Sequence, residues 1–168
     1  VTLVVADASP LHYLVLLRQH DLLRQLFDAV VIPPKVVEEL SQPSTPPEVR
    51  AWMRNPPAWL SVDDRPLGER IPNLDPGEAD AIALALALHA EVLLIDEHRG
   101  RTEARRLGLQ PLGVVGVLEQ ASNMDLVDLA AVLKQLVTAT NFRITNRVVE
   151  EVLARDEERR SRNPGLAP

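Results

Sequence analysis

Between Ala81 and Leu88 the chain alternates small and large apolar side chains with no polar residue among them. The run is introduced by Asp75-Pro76-Gly77-Glu78, an acidic N-cap, a proline at the first helical position and a glutamate at the third, which is a capping-box pattern. A helix continuing from there through Ala79–Ala90 has no polar face and must be covered on nearly all sides. What surrounds it in sequence supplies the cover. Val92–Ile95 reads as a strand with Asp96 at its carboxyl end, and Thr2–Ala6 reads as another with Asp7 at its end. Strands alternating with helices imply an α/β fold in three layers, a central parallel sheet with helices on both faces.

The remaining elements follow from the same signals. Ser9-Pro10 marks a helix start with a hydroxyl N-cap, and Leu11, Leu14 and Leu17 give that helix its apolar face. Asp21–Phe27 reads as a short helix, Ala29–Ile32 as a strand ended by Pro33 and Pro34, and Lys35–Leu40 as a helix. Eight of the fourteen prolines lie between Gln42 and Pro76, so that stretch is expected to be broken, with a helix over Pro47–Met53 and a strand over Trp59–Val62. His98–Leu107 is a basic helix, Pro111–Val115 a strand, and Val117–Ala121 the start of another helix. Leu126–Val137 and Arg147–Glu158 are amphipathic helices.

At 168 residues the chain has the length of one domain with a sizeable core. The expected organisation is a catalytic domain over residues 1–122, a helical extension over 123–160 packed on it, and a flexible tail over 161–168. Aromatic residues make up only 3%, which weighs against base-stacking platforms. The chain has no cysteine, which excludes disulfides, thiolate zinc sites and a cysteine nucleophile and fits a cytoplasmic setting. Val1–Asp7 has no basic leader pattern, and the longest apolar run is too short to span a bilayer. The net charge of −6 opposes non-specific binding to nucleic acid, so any action on RNA must depend on a local site or on bound cations.

Acids carry the chemistry. Ligands of open parallel sheets bind beyond the carboxyl ends of the strands, where Asp7 and Asp96 stand. One aspartate after a strand is more often a turn residue; two on strands that can be neighbours are harder to explain that way. Glu38 and Glu39 point about 100° apart on their helix, and Glu39 has the inward side with Val36 and Leu40. Glu78 and Asp80 are about 200° apart and should not share one ligand. Glu78 has a structural role in the capping box, so Asp80 is expected to be the ligand and Glu78 a cap or supporting group, still counted with Asp7, Glu39, Asp80 and Asp96 among the metal-site residues. Carboxylates brought together raise one another's pKa unless a cation shares the site. An all-oxygen set suits a hard ion, Mg²⁺ or Mn²⁺, whose open positions suit phosphate oxygens and an attacking water.

The segments VVADASPLHYL (Val4–Leu14), VVIPPKVVEEL (Val30–Leu40), LDPGEADAIALALALHAEVLLIDE (Leu74–Glu97) and GRTEARRLGLQPLGVVGVL (Gly100–Leu118) together resemble the PIN-domain ribonucleases, and most closely a poorly characterised bacterial and archaeal branch that is toxin-like. The resemblance implies Mg²⁺- or Mn²⁺-dependent endonucleolytic cleavage of RNA. It places the family's acids on Asp7, Glu39, Asp80 and Asp96 and its small polar residue on Ser9; Glu78 and Glu97 follow the pattern of the branch. It also implies the toxin role of a toxin–antitoxin pair. Two departures stand out: Leu94 where many members have a threonine, and His12 where an apolar residue is usual. Arg99 and Arg101, just past Asp96, are candidate contacts to RNA phosphates, against the plainer reading of a solvated helix face with Arg105 and Arg106. The C-terminal helices offer a surface for an antitoxin protein or for a second copy in a homodimer. Two rival functions remain in view: a PIN-like binding module with little or no nuclease activity, and an aspartyl phosphatase, which the presence of Ser9 two residues after Asp7, where such enzymes carry an acid, disfavours.

Overall fold

The structure is a computed structural model and describes residues 2–162. Its elements run β1 (Leu3–Ala6), α1 (Ala8–Leu16), α2 (Leu22–Leu26), β2 (Ala29–Ile32), α3 (Pro34–Leu40), α4 (Pro47–Arg54), β3 (Leu60–Val62), α5 (Pro76–Leu88), β4 (Val92–Leu94), α6 (His98–Arg106), β5 (Pro111–Leu112), α7 (Val114–Asn123), α8 (Leu129–Ala139) and α9 (Asn146–Arg162). The chain divides into two compact units, residues 1–114 and 115–168.

In the first unit five strands form one sheet in the order β3-β2-β1-β4-β5, every pair parallel. The register sets Val5 opposite Val31 on one side and Leu93 on the other. The sheet therefore grows outward from β1 in both directions: the chain builds β2 and β3 on one side, then returns to place β4 against the free side of β1. A crevice opens at the carboxyl ends of strands where the order reverses in this way. Asp7 and Asp96 follow the two strands that flank the reversal, β1 and β4, and Asp7 N donates to Leu94 O at 2.9 Å.

Both faces of the sheet are covered, as a parallel sheet requires. Val5, Val31, Leu93 and Ile95 share a buried cluster with Ala81, Ile82, Leu84 and Ala85 of α5 and Ala104 of α6. Successive strand residues point to opposite faces. Helices α1, α3 and α4 pack together, burying Leu11, Leu14, Val36, Leu40, Val49 and Met53. Helix α5 is enclosed through Ala85, whereas Leu86 and Ala87 near its end are exposed. His89 closes it in the left-handed conformation, φ 50°, and sends the chain into β4.

Two local expectations change. Ser9 is not the cap of α1: the helix begins at Ala8 with Asp7 at the cap position, and Pro10 still lies in the first turn, where no amide hydrogen is needed. The last strand stops at Leu112, and Val114 and Val115 are helical. The cause is an anion at the helix start. Val114 N donates to Asp96 Oδ1 at 2.7 Å, a favourable place for a carboxylate, and the helix begins there instead of at Val117.

The second unit contains α8 and α9 packed together, with Leu129, Val132, Leu133, Leu136 and Val152 buried. Asp128 caps α8 by accepting from Ala131 N at 3.1 Å. Helix α7 is tied to α9 by Ser122 Oγ donating to Asp156 Oδ1 at 2.7 Å and by an Arg155–Glu119 ion pair at 2.8 Å. Of the expected tail, Ser161 and Arg162 are the last residues of α9 and 163–168 lie outside the described residues. No helix among the described residues is long and apolar enough to cross a membrane.

Candidate functional site

Asp7 is the most confined of the acids, with 4% of its surface exposed. Burial raises its pKa to about 7; a hydrogen bond from the Ala8 amide works against that rise, and the charges of Glu78, Glu39 and Asp96 add to it. Its Oδ1 is buried without a hydrogen-bond partner among the described residues.

Asp96 leaves β4 on the neighbouring strand and is held from two directions. Ser9 Oγ donates to Oδ2 at 2.9 Å and Val114 N donates to Oδ1 at 2.7 Å. Burial raises its pKa, against the Val114 and Ser9 hydrogen bonds and the charge of Arg101, which lower it. The fit depends on Gly113, since a Cβ there would sit 2.8 Å from Asp96 Oδ1. Leu94, where a threonine is usual in the resembling family, is fully buried in the core; the hydroxyl on Asp96 comes instead from Ser9.

Glu39 reaches across from α3 to the start of α5, where its Oε1 accepts from Gly77 N at 3.0 Å. A Cβ at Gly77 would lie 2.4 Å from the carboxylate, so the bare backbone is what admits it. Burial raises the Glu39 pKa, the Gly77 bond and Lys35 lower it, and Asp75 and Glu38 raise it again. Glu38 points elsewhere and pairs with Lys35 at 2.9 Å.

Helix α5 separates Glu78 from Asp80, as two residues of helical rotation require, and of the two it is Glu78 that is the more buried. Glu78 is 6% exposed and its charge acts on Asp7. Burial raises its pKa, the Asp75 amide lowers it, and the charges of Asp75, Glu97 and Glu39 raise it further. One oxygen keeps the capping role, with Asp75 N donating to Oε2 at 3.3 Å; the other, Oε1, lies 3.4 Å from where a Gly100 Cβ would be. Asp80 instead receives a two-pronged ion pair from Arg70, Nε to Oδ1 at 2.9 Å and Nη2 to Oδ2 at 3.2 Å. It lines a cleft of about 400 Å³ with Lys35, Glu38, Arg65 and Arg70 among others.

The structure thus groups Asp7, Glu39, Glu78 and Asp96 electrostatically, with Ser9 on Asp96 and the charge of Glu97 acting on Glu78. Arg101 reaches this group, whereas Arg99 is exposed. The His12 ring lies tilted against Tyr13, 57° between planes and 4.8 Å between centroids, and burial lowers its pKa. Sequence reasoning missed Gly77, Gly113 and Arg70. Gly77 alone carried a signal, a glycine in the first turn of a well-capped helix. Among the described residues, no three His, Cys, Asp or Glu side chains converge as a ready-made metal cage. The donor set is nevertheless all oxygen, and the partnerless Asp7 Oδ1 amid three further acids suits a hard cation.

Comparison with known proteins adds the lineage. No curated protein matches the chain. Among solved structures it is similar to a PilT N-terminus domain protein from the hyperthermophilic archaeon Sulfolobus solfataricus P2, at 15% identity and a TM-score of 0.52, over 86% of this chain and 100% of that one; a likeness at that identity bears on the fold alone. A family model described as DUF3368, PIN domain, matches residues 3–158. With the parallel sheet and the strand-end acids, that match over nearly the whole sequence establishes that the chain belongs to the PIN-domain family.

Proposed function

We propose that the acids around Asp7 hold Mg²⁺ or Mn²⁺ and that the domain hydrolyses RNA phosphodiesters at that place. The observation that carries the reading is Asp7: a buried carboxyl with an unpartnered oxygen, its pKa pushed to about 7 by burial and by three neighbouring acids. Such a group is costly when ionised unless a cation is shared. When bound, the cation would supply a water of lowered pKa and charge stabilisation at the leaving oxygen. Asp7 would offer Oδ1 as a ligand. Asp96, fixed by Ser9 and Val114, would set the second direction of approach. Glu39 and Glu78 would reach the site from α3 and α5, each with one oxygen on a backbone amide.

A second reading, a PIN-fold binding module that cuts little or nothing, has the geometry more directly on its side. Asp96 has both oxygens in hydrogen bonds, Glu39 and Glu78 each have one, and the carboxylates are not gathered into a cage. A fluorogenic RNA assay with Mn²⁺ separates the two readings. Hydrolysis that is lost in Asp7→Asn and Asp96→Asn supports the nuclease. Hydrolysis that survives both rules out the acid site, and RNA or metal binding without turnover supports the module. The toxin role, an antitoxin partner, self-association and a cytoplasmic setting belong to this proposal. Val137 and Val148, 45% and 40% exposed on α8 and α9, are the apolar positions such a partner would cover.

A further inference from the structure

Four arginines fall on α6, and the fold treats them differently. Arg106 is occupied by Glu103, with Nε to Oε2 at 2.9 Å, and Arg99 and Arg105 are exposed. Arg101 is partly buried and turns to the acids. The point where a Gly113 Cβ would stand is 3.5 Å from Arg101 Nη1 and 2.8 Å from Asp96 Oδ1.

Arg101 is nevertheless not the partner of Asp96. Both oxygens of that carboxylate are taken by neutral donors, Ser9 Oγ and Val114 N, and Arg101 acts on it only through its charge. Arg101 Nε is buried and has no hydrogen-bond partner among the described residues. A guanidinium keeps its charge at any ordinary pH and presents a planar fork of donors. The Nε is closed off from solvent, so the edge of the fork that an acceptor outside the protein can meet is the pair of Nη groups. The fork matches an anion with two oxygens, and its position beside Asp96 puts that anion at the acids rather than along the outer helix face.

We propose that Arg101 is the phosphate-holding residue of the acid site, its fork taking the non-bridging oxygens of an RNA phosphodiester beside Asp96 and Gly113. This rests on RNA being the ligand of the site, but not on the RNA being cut. It also separates Arg101 from Arg99 and Arg105, whose exposed charges would at most follow the backbone.

The test is fluorescence anisotropy of a labelled single-stranded RNA with the full chain in EDTA, where cation-dependent cutting is off. Arg101→Gln should weaken binding by about tenfold or more, the loss of a charge-assisted pair. Arg99→Gln and Arg105→Gln should each stay within about threefold, as single exposed phosphate contacts do. Arg101→Lys keeps the charge without the fork and should also bind more weakly than wild type, which decides the matter if the glutamine variant does not fold. Wild-type affinity in both Arg101 variants overturns the proposal, as do equal losses in the Arg99 and Arg105 variants or no RNA binding by the wild type. Weakened binding in the Arg101 variants without turnover by the wild type in Mn²⁺ supports the phosphate seat while removing hydrolysis. Turnover in Mn²⁺ with unchanged affinity in the Arg101 variants does the reverse.

Discussion

Arg70 grips Asp80 with two parallel hydrogen bonds, at 2.9 and 3.2 Å, while the acids whose charges act on Asp7 are Glu78, Glu39 and Asp96. If the cation site is the one around Asp7, Glu78→Gln should weaken Mn²⁺ binding by about tenfold, the loss of one charged ligand, and Asp80→Asn should leave it nearly unchanged. Isothermal titration of the two variants decides between them, and a larger loss in Asp80→Asn would return the site to the sequence assignment. Arg70→Ala should change stability little, because Arg70 is exposed and surface ion pairs contribute little.

Glu78 and Asp80 show where sequence reasoning stops. Rotation along a helix says that the two acids diverge; it does not say which of them the sheet faces, because that depends on how α5 lies over β1 and β4. The capping box accounts for only one side of Glu78: a carboxylate has two oxygens, and here only Oε2 is used by Asp75 N. The strands and helices themselves were legible because each has its own punctuation: Pro33 before α3, Asp75-Pro76 before α5, a β-branched run in β1 and β2. The errors of detail, Ser9 as a cap and Val114 as strand, have one origin. Both residues bond to Asp96, 87 and 18 positions away, and no local signal reports a contact at that range.

Asp7 should impose a pH dependence on stability with a definite sign. Its folded pKa, about 7, lies above the ordinary aspartate value of 3.8. In that window the folded state binds the proton more tightly than the unfolded chain, so this group favours folding at low pH and the contribution is lost as pH rises through about 7. A shift of that size corresponds to something on the order of 4 kcal/mol, distributed between about pH 4 and pH 8. In the presence of a chelator, Asp7→Asn should therefore be more stable than wild type at about pH 8, with the advantage shrinking toward about pH 4. Denaturant melts across that range would refute the Asp7 environment described above if the variant lost stability equally at every pH.

Gly113 makes a steric prediction about Asp96. A methyl group there meets Asp96 Oδ1 at 2.8 Å, so Gly113→Ala should push the carboxylate off Val114 N and cost about 1–2 kcal/mol, the loss of a charge-assisted bond. Gly68→Ala is the matched control, because a Cβ there has nothing within 4 Å. Thermal melts should show a lower midpoint for the first and little change for the second. If Asp96 serves the site around Asp7, Mn²⁺ affinity should fall with Gly113→Ala as well; equal midpoints for the two variants would mean that the Asp96 pocket is looser than the structure shows.

Asp156 predicts a pH effect of the opposite sign in the second unit. Burial raises its pKa, but hydrogen bonds from Ser122 and Arg159 and the charge and hydrogen bond of Arg160 outweigh burial, and the folded value ends below the ordinary aspartate value of 3.8. A depressed carboxylate stabilises the fold above its unfolded pKa and loses that contribution as pH falls through the lower folded value. Ser122 is fully buried, and its hydroxyl is 2.7 Å from Asp156 Oδ1. Ser122→Ala removes one bond to the carboxylate while Arg159 and Arg160 keep theirs, at 3.1 and 2.9 Å; it should cost about 1–2 kcal/mol at neutral pH. Asp156→Ala should cost more, since it removes the acceptor on which Ser122, Arg159 and Arg160 all converge. Both deficits should narrow as the melts are carried to lower pH through the depressed folded value, where the wild-type carboxylate takes up its proton. Deficits that stayed constant down to that pH would assign the destabilisation to packing around Ser122 rather than to the charge of Asp156.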